Sequence, residues 1–242
     1  MIGVFSYTVI LTYLALGTGV TGIYFAANNK PVYAVICLIV AGLFDMFDGA
    51  VARTKKNRTD MEKGFGIQID SLSDLVCFGV LPAAIGIASG MDEWYFIFVL
   101  AIYVLCGLIR LAYYNVTEEE RQRGTSEKRK YYEGLPITNA ALIFACVFTF
   151  SNFFKTHDAF ALFYAGIMVL VSFLFVFKVK IPKFGKIGMT ALVIIGTVIF
   201  VFLCFNMNDL IDFWHIDVLN FNWLGGLSLL FLLFYQQNKF VL

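Results

Sequence analysis

Four aspartates stand in two short stretches where a carboxylate is costly. Asp45 and Asp48 lie in AGLFDMFDGAVAR, and Asp70 and Asp74 lie in GFGIQIDSLSDLVCFG. Carboxylates are rare inside apolar helices, and where they occur there they are functional by default. Held close together, four of them repel one another and lose hydration, so the group calls for protonation or for cations. An all-oxygen donor set suits hard ions, Mg²⁺ or Mn²⁺ and also Ca²⁺, and two divalent ions would balance four negative charges. No histidine or cysteine is placed for a zinc site, since His157 and His215 fall in segments read as outer loops.

The spacing gathers the group. Asp45, Asp48, Gly49 and Ala52 follow one another at steps that keep them on one face of a helix, and Gly66, Asp70 and Asp74 do the same at steps of four. Depth agrees as well. Asp48 lies about 7.5 Å inside Arg53, and Asp70 about 6 Å inside Gly66, taking 1.5 Å per residue on two helices that run in opposite directions. Gly49, Ala52 and Gly66 leave room for a bulky ligand on the same faces, and Arg53 offers a phosphate partner at the mouth. Arg110, in LIRLAYYNV, is a further charge inside an apolar run, at a similar depth; it either snorkels to the interface or binds an anionic group beside the cations.

These residues need membrane helices to hold them. Of the 242 residues, 60% are hydrophobic and 14% charged, and the charges cluster between long apolar runs, which points away from a soluble core. A helix crosses a bilayer with about 20 apolar residues. On that measure the sequence predicts an all-α polytopic bundle of about eight spans, at roughly 4–27, 32–53, 66–89, 93–116, 135–154, 158–178, 188–207 and 218–235. No repeat or second domain is visible. The whole chain reads as one membrane domain, with a motif-bearing core at 4–180 and two additional spans after it.

Lysine and arginine orient the bundle, because cytoplasmic loops are enriched in them. Arg53, Lys55, Lys56, Arg58 and Lys63 form one basic segment; Arg121, Arg123, Lys128, Arg129 and Lys130 form a second; Lys178, Lys180, Lys183 and Lys186 form a third. The acidic loops alternate with these. The formal net charge of +1 therefore hides a basic inner face suited to anionic lipid head groups. Nothing resembles a nucleic-acid module, and nucleic acid is not expected as a partner. The five cysteines form no CxxC pair and read as small apolar packing residues.

The two stretches together, DxxDGxxAR from Asp45 to Arg53 and GxxxDxxxD from Gly66 to Asp74, resemble the CDP-alcohol phosphotransferases, integral membrane enzymes of phospholipid synthesis. Within that family, DSLSDLVCFGVLPA from Asp70, RLAYYN from Arg110 and EGLPITNAA from Glu133 look most like the bacterial and archaeal phosphatidylserine synthases. One departure is a longer connection: Arg53 and Gly66 enclose twelve residues, with the excess in a polar stretch, Thr54 to Phe65, read as cytoplasmic loop.

The resemblance implies that CDP-diacylglycerol donates its phosphatidyl group to an alcohol, here L-serine, with release of CMP. It implies that Asp45, Asp48 and Asp70 hold the metals, and that Asp74 assists a metal and acts as general base. Gly49, Ala52, Arg53 and Gly66 would line the CDP moiety. It also implies six core helices and a homodimer; the basic loops place the site at the cytoplasmic face, expected in the plasma membrane of a prokaryote. For the serine carboxylate the candidates are Arg110, with Arg129 or Lys130. Two readings compete: a related enzyme using glycerol phosphate or inositol, and a divalent-ion transporter. A phosphorylated acceptor would demand several arginines, and Arg110 is the basic residue well inside a span; transport sites lie near the midplane in repeated halves, which the sequence lacks.

Overall fold

The computed structural model describes residue 3 and residues 6–124, 131–154, 156–182 and 186–205. The expected span at 218–235, together with Arg129 and Lys130, lies outside the described residues. A short 3₁₀ turn, Tyr7–Val9, leads into α1 (Ile10–Ala27), followed by α2 (Pro31–Ala52) and α3 (Asp60–Asp74). A π-helical segment, Leu75–Val80, joins α3 without a break to α4 (Leu81–Ala88). Next come α5 (Phe96–Gly124), β1 (Tyr131–Glu133), α6 (Asn139–Thr149), α7 (His157–Val176), β2 (Lys180–Pro182) and α8 (Lys186–Phe205). The all-helical membrane bundle expected from the hydropathy is what forms. Its one addition is a small antiparallel ribbon in which Tyr132 pairs with Ile181.

Among the described residues, five helices are long and apolar enough to cross a membrane: Tyr7–Ala27, Pro31–Ala52, Asp60–Ala88, Phe96–Arg121 and His157–Val176. The chain is an integral membrane protein. The apolar helical stretches Asn139–Phe153 and Ile194–Leu203 are shorter. The first of these starts four residues later than the hydropathy expected. Gly134 takes φ +77°, and Pro136 disfavours helical backbone in the residue before it, so Gly134–Thr138 is a loop.

Two boundaries next to the basic segments also differ from expectation. Six residues assigned to the loop after Arg53, Asp60 to Phe65, are helical. The cause is local: Thr59 Oγ1 accepts from the Glu62 N–H at 3.1 Å, and Glu62 Oε2 accepts from the Thr59 N–H at 3.0 Å, a reciprocal cap for α3. Lys55 Nζ donates to the other Glu62 oxygen at 2.6 Å, which ties the connection onto that cap. Likewise α5 continues through the polar residues 117–124, where Arg121 pairs with Glu118 one turn earlier.

The first helix carries almost no polar face, so its packing is set by size. Thr12, Ala15, Gly19, Gly22 and Ala26 are its buried small residues, at alternating steps of three and four. A methyl group added at Gly22 would meet Cys37 Cβ and a Leu81 methyl at 2.9 Å, and one at Gly19 would meet Cys77 Sγ at 2.7 Å. Small residues let helix backbones approach where the bilayer supplies no hydrophobic driving force between them. The far half of the bundle is instead filled by rings. Tyr103 meets Phe144 edge-on at 5.4 Å, and Phe144 meets Tyr164 at 5.1 Å, all three fully buried.

Candidate active site

The site stands where the C-terminal turns of α2 meet the third and fourth turns of α3. The arrival of α2 is fixed by Pro31, which suits a first helical turn, and its end by Arg53 and Thr54, whose N–H groups close onto Gly49 and Val51. Asp45 and Asp48 lie in its last two turns. From the other side, the capped start of α3 sets the phase that brings Asp70 and Asp74 round to the same place.

Three of the four carboxylates converge. Asp45, Asp70 and Asp74 each offer an oxygen, and these atoms all lie within 4.8 Å of one another. Asp48 completes the group from the side, next to Asp70, while Asp45 stands next to Asp74. Asp48 and Asp74 are buried, and Asp45 and Asp70 are half-buried. The two stripes predicted from spacing thus face each other, with one open and one buried carboxylate from each helix.

The donor set fits a hard cation. Oxygen ligands at about 2.1 to 2.5 Å from one ion stand at most about 5 Å apart, which is the spread of the Asp45, Asp70 and Asp74 oxygens. The ion pairs that organise the neighbouring backbone, Lys55–Glu62 and Lys63–Asp60, use none of these four aspartates.

The surroundings keep the approach clear. A Cβ built on Gly66 meets nothing within 4 Å, and one on Gly49 meets only the Arg53 guanidinium at 3.4 Å. Arg53, exposed at the end of α2, therefore folds back beside Gly49 on the acidic face of that helix. Ala52 is half-buried on the last turn of α2.

Arg110 is buried within the bundle, and its Nε donates to the Leu135 carbonyl at 3.1 Å, with its guanidinium 5.1 Å from the Tyr114 ring centre. It grips the loop that carries EGLPITN. That loop in turn caps α7, since the Gly134 and Leu135 N–H groups donate to Val179 and Leu174 carbonyls at 2.9 and 3.0 Å. Further along α5, Asn115 donates to Ser71 at 2.8 Å, so α5 is fastened to α3 one residue from Asp70.

Two contributors escaped the sequence reading. Thr12 of α1 donates its hydroxyl to Asp48 Oδ2 at 3.1 Å, and Ser73 donates to the Thr12 carbonyl at 3.3 Å. Their signal was faint. Thr12 heads the small-residue face of α1, where its hydroxyl reads like any other helix-packing group.

A protein-family model described as CDP-alcohol phosphatidyltransferase matches residues 5–177, which contain every described element from α1 to α7. The chain belongs to this family. Among similar phosphatidyltransferases, the CDP-diacylglycerol–serine O-phosphatidyltransferase of Saccharomyces cerevisiae is 40% identical over 143 residues, 54% of this chain and 50% of that protein. The archaetidylserine synthase of Methanothermobacter thermautotrophicus is 36% identical over 180 residues, 74% of this chain and 70% of that protein. The CDP-diacylglycerol–serine O-phosphatidyltransferase of Helicobacter pylori strain J99 is 31% identical over 193 residues, covering 77% and 76%. The match therefore spans about half of the yeast relative and about three quarters of the bacterial one. CDP-alcohol phosphatidyltransferases generally use a divalent metal, and the acidic cluster is where this member has the donors for one.

Proposed function

We propose that this chain transfers the phosphatidyl group of CDP-diacylglycerol to the hydroxyl of L-serine, giving phosphatidylserine and CMP. The observation that carries the reading is the convergence of Asp45, Asp70 and Asp74 inside the segment matched by the family model. Support for serine as acceptor comes from the relatives, two of which are named for serine transfer and one for archaetidylserine synthesis.

Asp45, Asp70 and Asp74, with Asp48 beside them, would hold Mg²⁺ or Mn²⁺, with Ca²⁺ a poorer candidate, as two ions when fully loaded. When bound, the cations neutralise the diphosphate and stabilise the charge that gathers on departing CMP. The chain's own residues do the rest. The open faces of Gly49, Ala52 and Gly66 admit the CDP moiety, and Arg53 at the rim donates to its phosphates. The serine hydroxyl oxygen forms a bond to the phosphorus bearing diacylglycerol, the bond from that phosphorus to the CMP oxygen breaks, and the hydroxyl proton passes to Asp74. Asp74 suits this role because it is buried in the cluster with its carboxylate beside those of Asp45 and Asp70. Arg110 holds the loop before α6 and is the residue placed to meet the serine carboxylate.

The basic segment Arg53 to Lys63 beside the site favours the cytoplasmic leaflet of a prokaryotic plasma membrane, where soluble serine and CMP meet a lipid donor. The working form is a homodimer, as the family resemblance implies. The test is purified protein in nanodiscs with CDP-diacylglycerol, a divalent cation and serine, glycerol phosphate or inositol in turn, reading CMP release and the lipid product. Phosphatidylserine formed with serine alone is the expected result; no CMP release with any acceptor and cation overturns the reading.

A further inference from the structure

Thr12 is a single residue of α1 that touches both acid-bearing helices. Its side-chain hydroxyl donates to Asp48 Oδ2 at 3.1 Å, and its main-chain oxygen accepts from Ser73, the neighbour of Asp74, at 3.3 Å. All three residues are more than nine-tenths buried: Thr12 is 5% exposed, Asp48 8% and Ser73 3%. In this setting the hydroxyl has one strong acceptor, and the carboxylate oxygen it occupies is turned toward α1.

From this we infer that Thr12 is a positioning residue for the cation site, an inference that rests on the metal-binding reading above. By holding Oδ2, Thr12 fixes the orientation of the Asp48 side chain beside the acidic cluster. By accepting from Ser73, it sets the distance between α2 and α3 at the level of the cluster. A ligating carboxylate that is itself hydrogen-bonded keeps its orientation before the ion arrives, and losing such a partner typically weakens metal binding about 10- to 100-fold. The anchoring of α1 just beyond Thr12 makes the hold stiff: Cys77 Sγ donates to the Ala15 carbonyl at 3.3 Å, and Gly19 packs directly on Cys77.

The experiment reads cation binding apart from turnover. Wild type, Thr12→Val and Thr12→Ser are purified in detergent, stripped of metal, and titrated with Mn²⁺ while the rise in melting temperature is followed; CMP release is then measured over the same Mn²⁺ range. Valine matches threonine in shape without the hydroxyl, and serine keeps the hydroxyl without the methyl. The expected result is a Mn²⁺ midpoint at least about 10-fold higher for Thr12→Val in both readouts, with Thr12→Ser within about 3-fold of wild type. An unchanged midpoint for Thr12→Val overturns the inference, and so does an equal shift for both variants, which would assign Thr12 to packing. If Thr12→Val does not yield folded protein, Thr12→Cys, close in volume with a weak donor, takes its place under the same criteria. Absence of any Mn²⁺ stabilisation in wild type is a different failure, that of the metal-binding reading itself.

Discussion

Tyr103 donates its phenolic hydroxyl to the main-chain oxygen of Phe78 at 2.7 Å, from α5 into the π segment between α3 and α4. Four residues beyond Phe78 stands Pro82, which has no N–H to return. In a bilayer no water can satisfy a buried carbonyl, so Tyr103 supplies a donor where the proline has removed one. Tyr164 of α7 likewise donates its hydroxyl to the Pro82 carbonyl, at 3.0 Å. The helix bearing Asp70 and Asp74 is thereby held from behind.

Removing that donor isolates its contribution. Tyr103→Phe is expected to lower stability by about 1 kcal/mol, the cost of leaving a buried carbonyl unpaired. The check is reversible unfolding in mixed micelles, with CMP release retained in the folded fraction.

At the cluster, loss of charge acts on chemistry more than on folding. Asp74→Asn is expected to lower CMP release at least about 100-fold at saturating cation, because the amide cannot take the serine proton. Asp45→Asn and Asp70→Asn are expected to raise the cation requirement as well. Initial rates over a Mg²⁺ series separate the two effects.

Metal removal should be complete and reversible. Treatment with a chelator is expected to abolish turnover, and Mg²⁺ or Mn²⁺ to restore it, as all-oxygen donors require. Restored activity by Zn²⁺ alone would contradict the donor chemistry.

Two glycines should part company. Gly66→Leu adds a side chain into open space, so the fold is expected to survive while KM for CDP-diacylglycerol rises at least about 10-fold, since occupying the nucleotide's place removes about 1.4 kcal/mol or more of binding. Gly22→Leu drives into Cys37 and Leu81 and is expected to lose about 1 to 3 kcal/mol of stability, read by melting temperature.

Arg110→Ala is expected to raise KM for serine at least about 10-fold with little change in that for CDP-diacylglycerol. An unchanged serine KM would confine Arg110 to gripping the Leu135 carbonyl.

The acidic stripes could be read in the sequence because their signal has a period: Asp70 and Asp74 one turn apart, Asp45 and Asp48 nearly so, in apolar surroundings that make each carboxylate conspicuous. Hydropathy likewise placed the helices, since a bilayer rewards long apolar runs whatever their packing. Finer features had weaker signals. The early start of α3 was written in Thr59 and Glu62, a T-x-x-E pattern outweighed by the polarity around it. The π segment at Leu75–Val80 is as apolar as α4, which continues it, so composition cannot distinguish it from ordinary helix. Three-residue strands are too short to show alternation. Thr12 matters through an aspartate 36 positions away, a relationship that exists only once α1 and α2 have packed.

The wide turn at Leu75–Val80 divides the long helix Asp60–Ala88 into two registers. A wide turn of this kind accommodates one residue more than the regular spiral, equivalent to a rotation of about 100°. Winding it as a regular spiral with every residue kept would therefore leave Asp70 and Asp74 in place but swing Pro82 and Gly86 away from Tyr164. Catalytic end and anchoring end are thus geared separately along one continuous rod, and the gearing resides in the six residues Leu75–Val80.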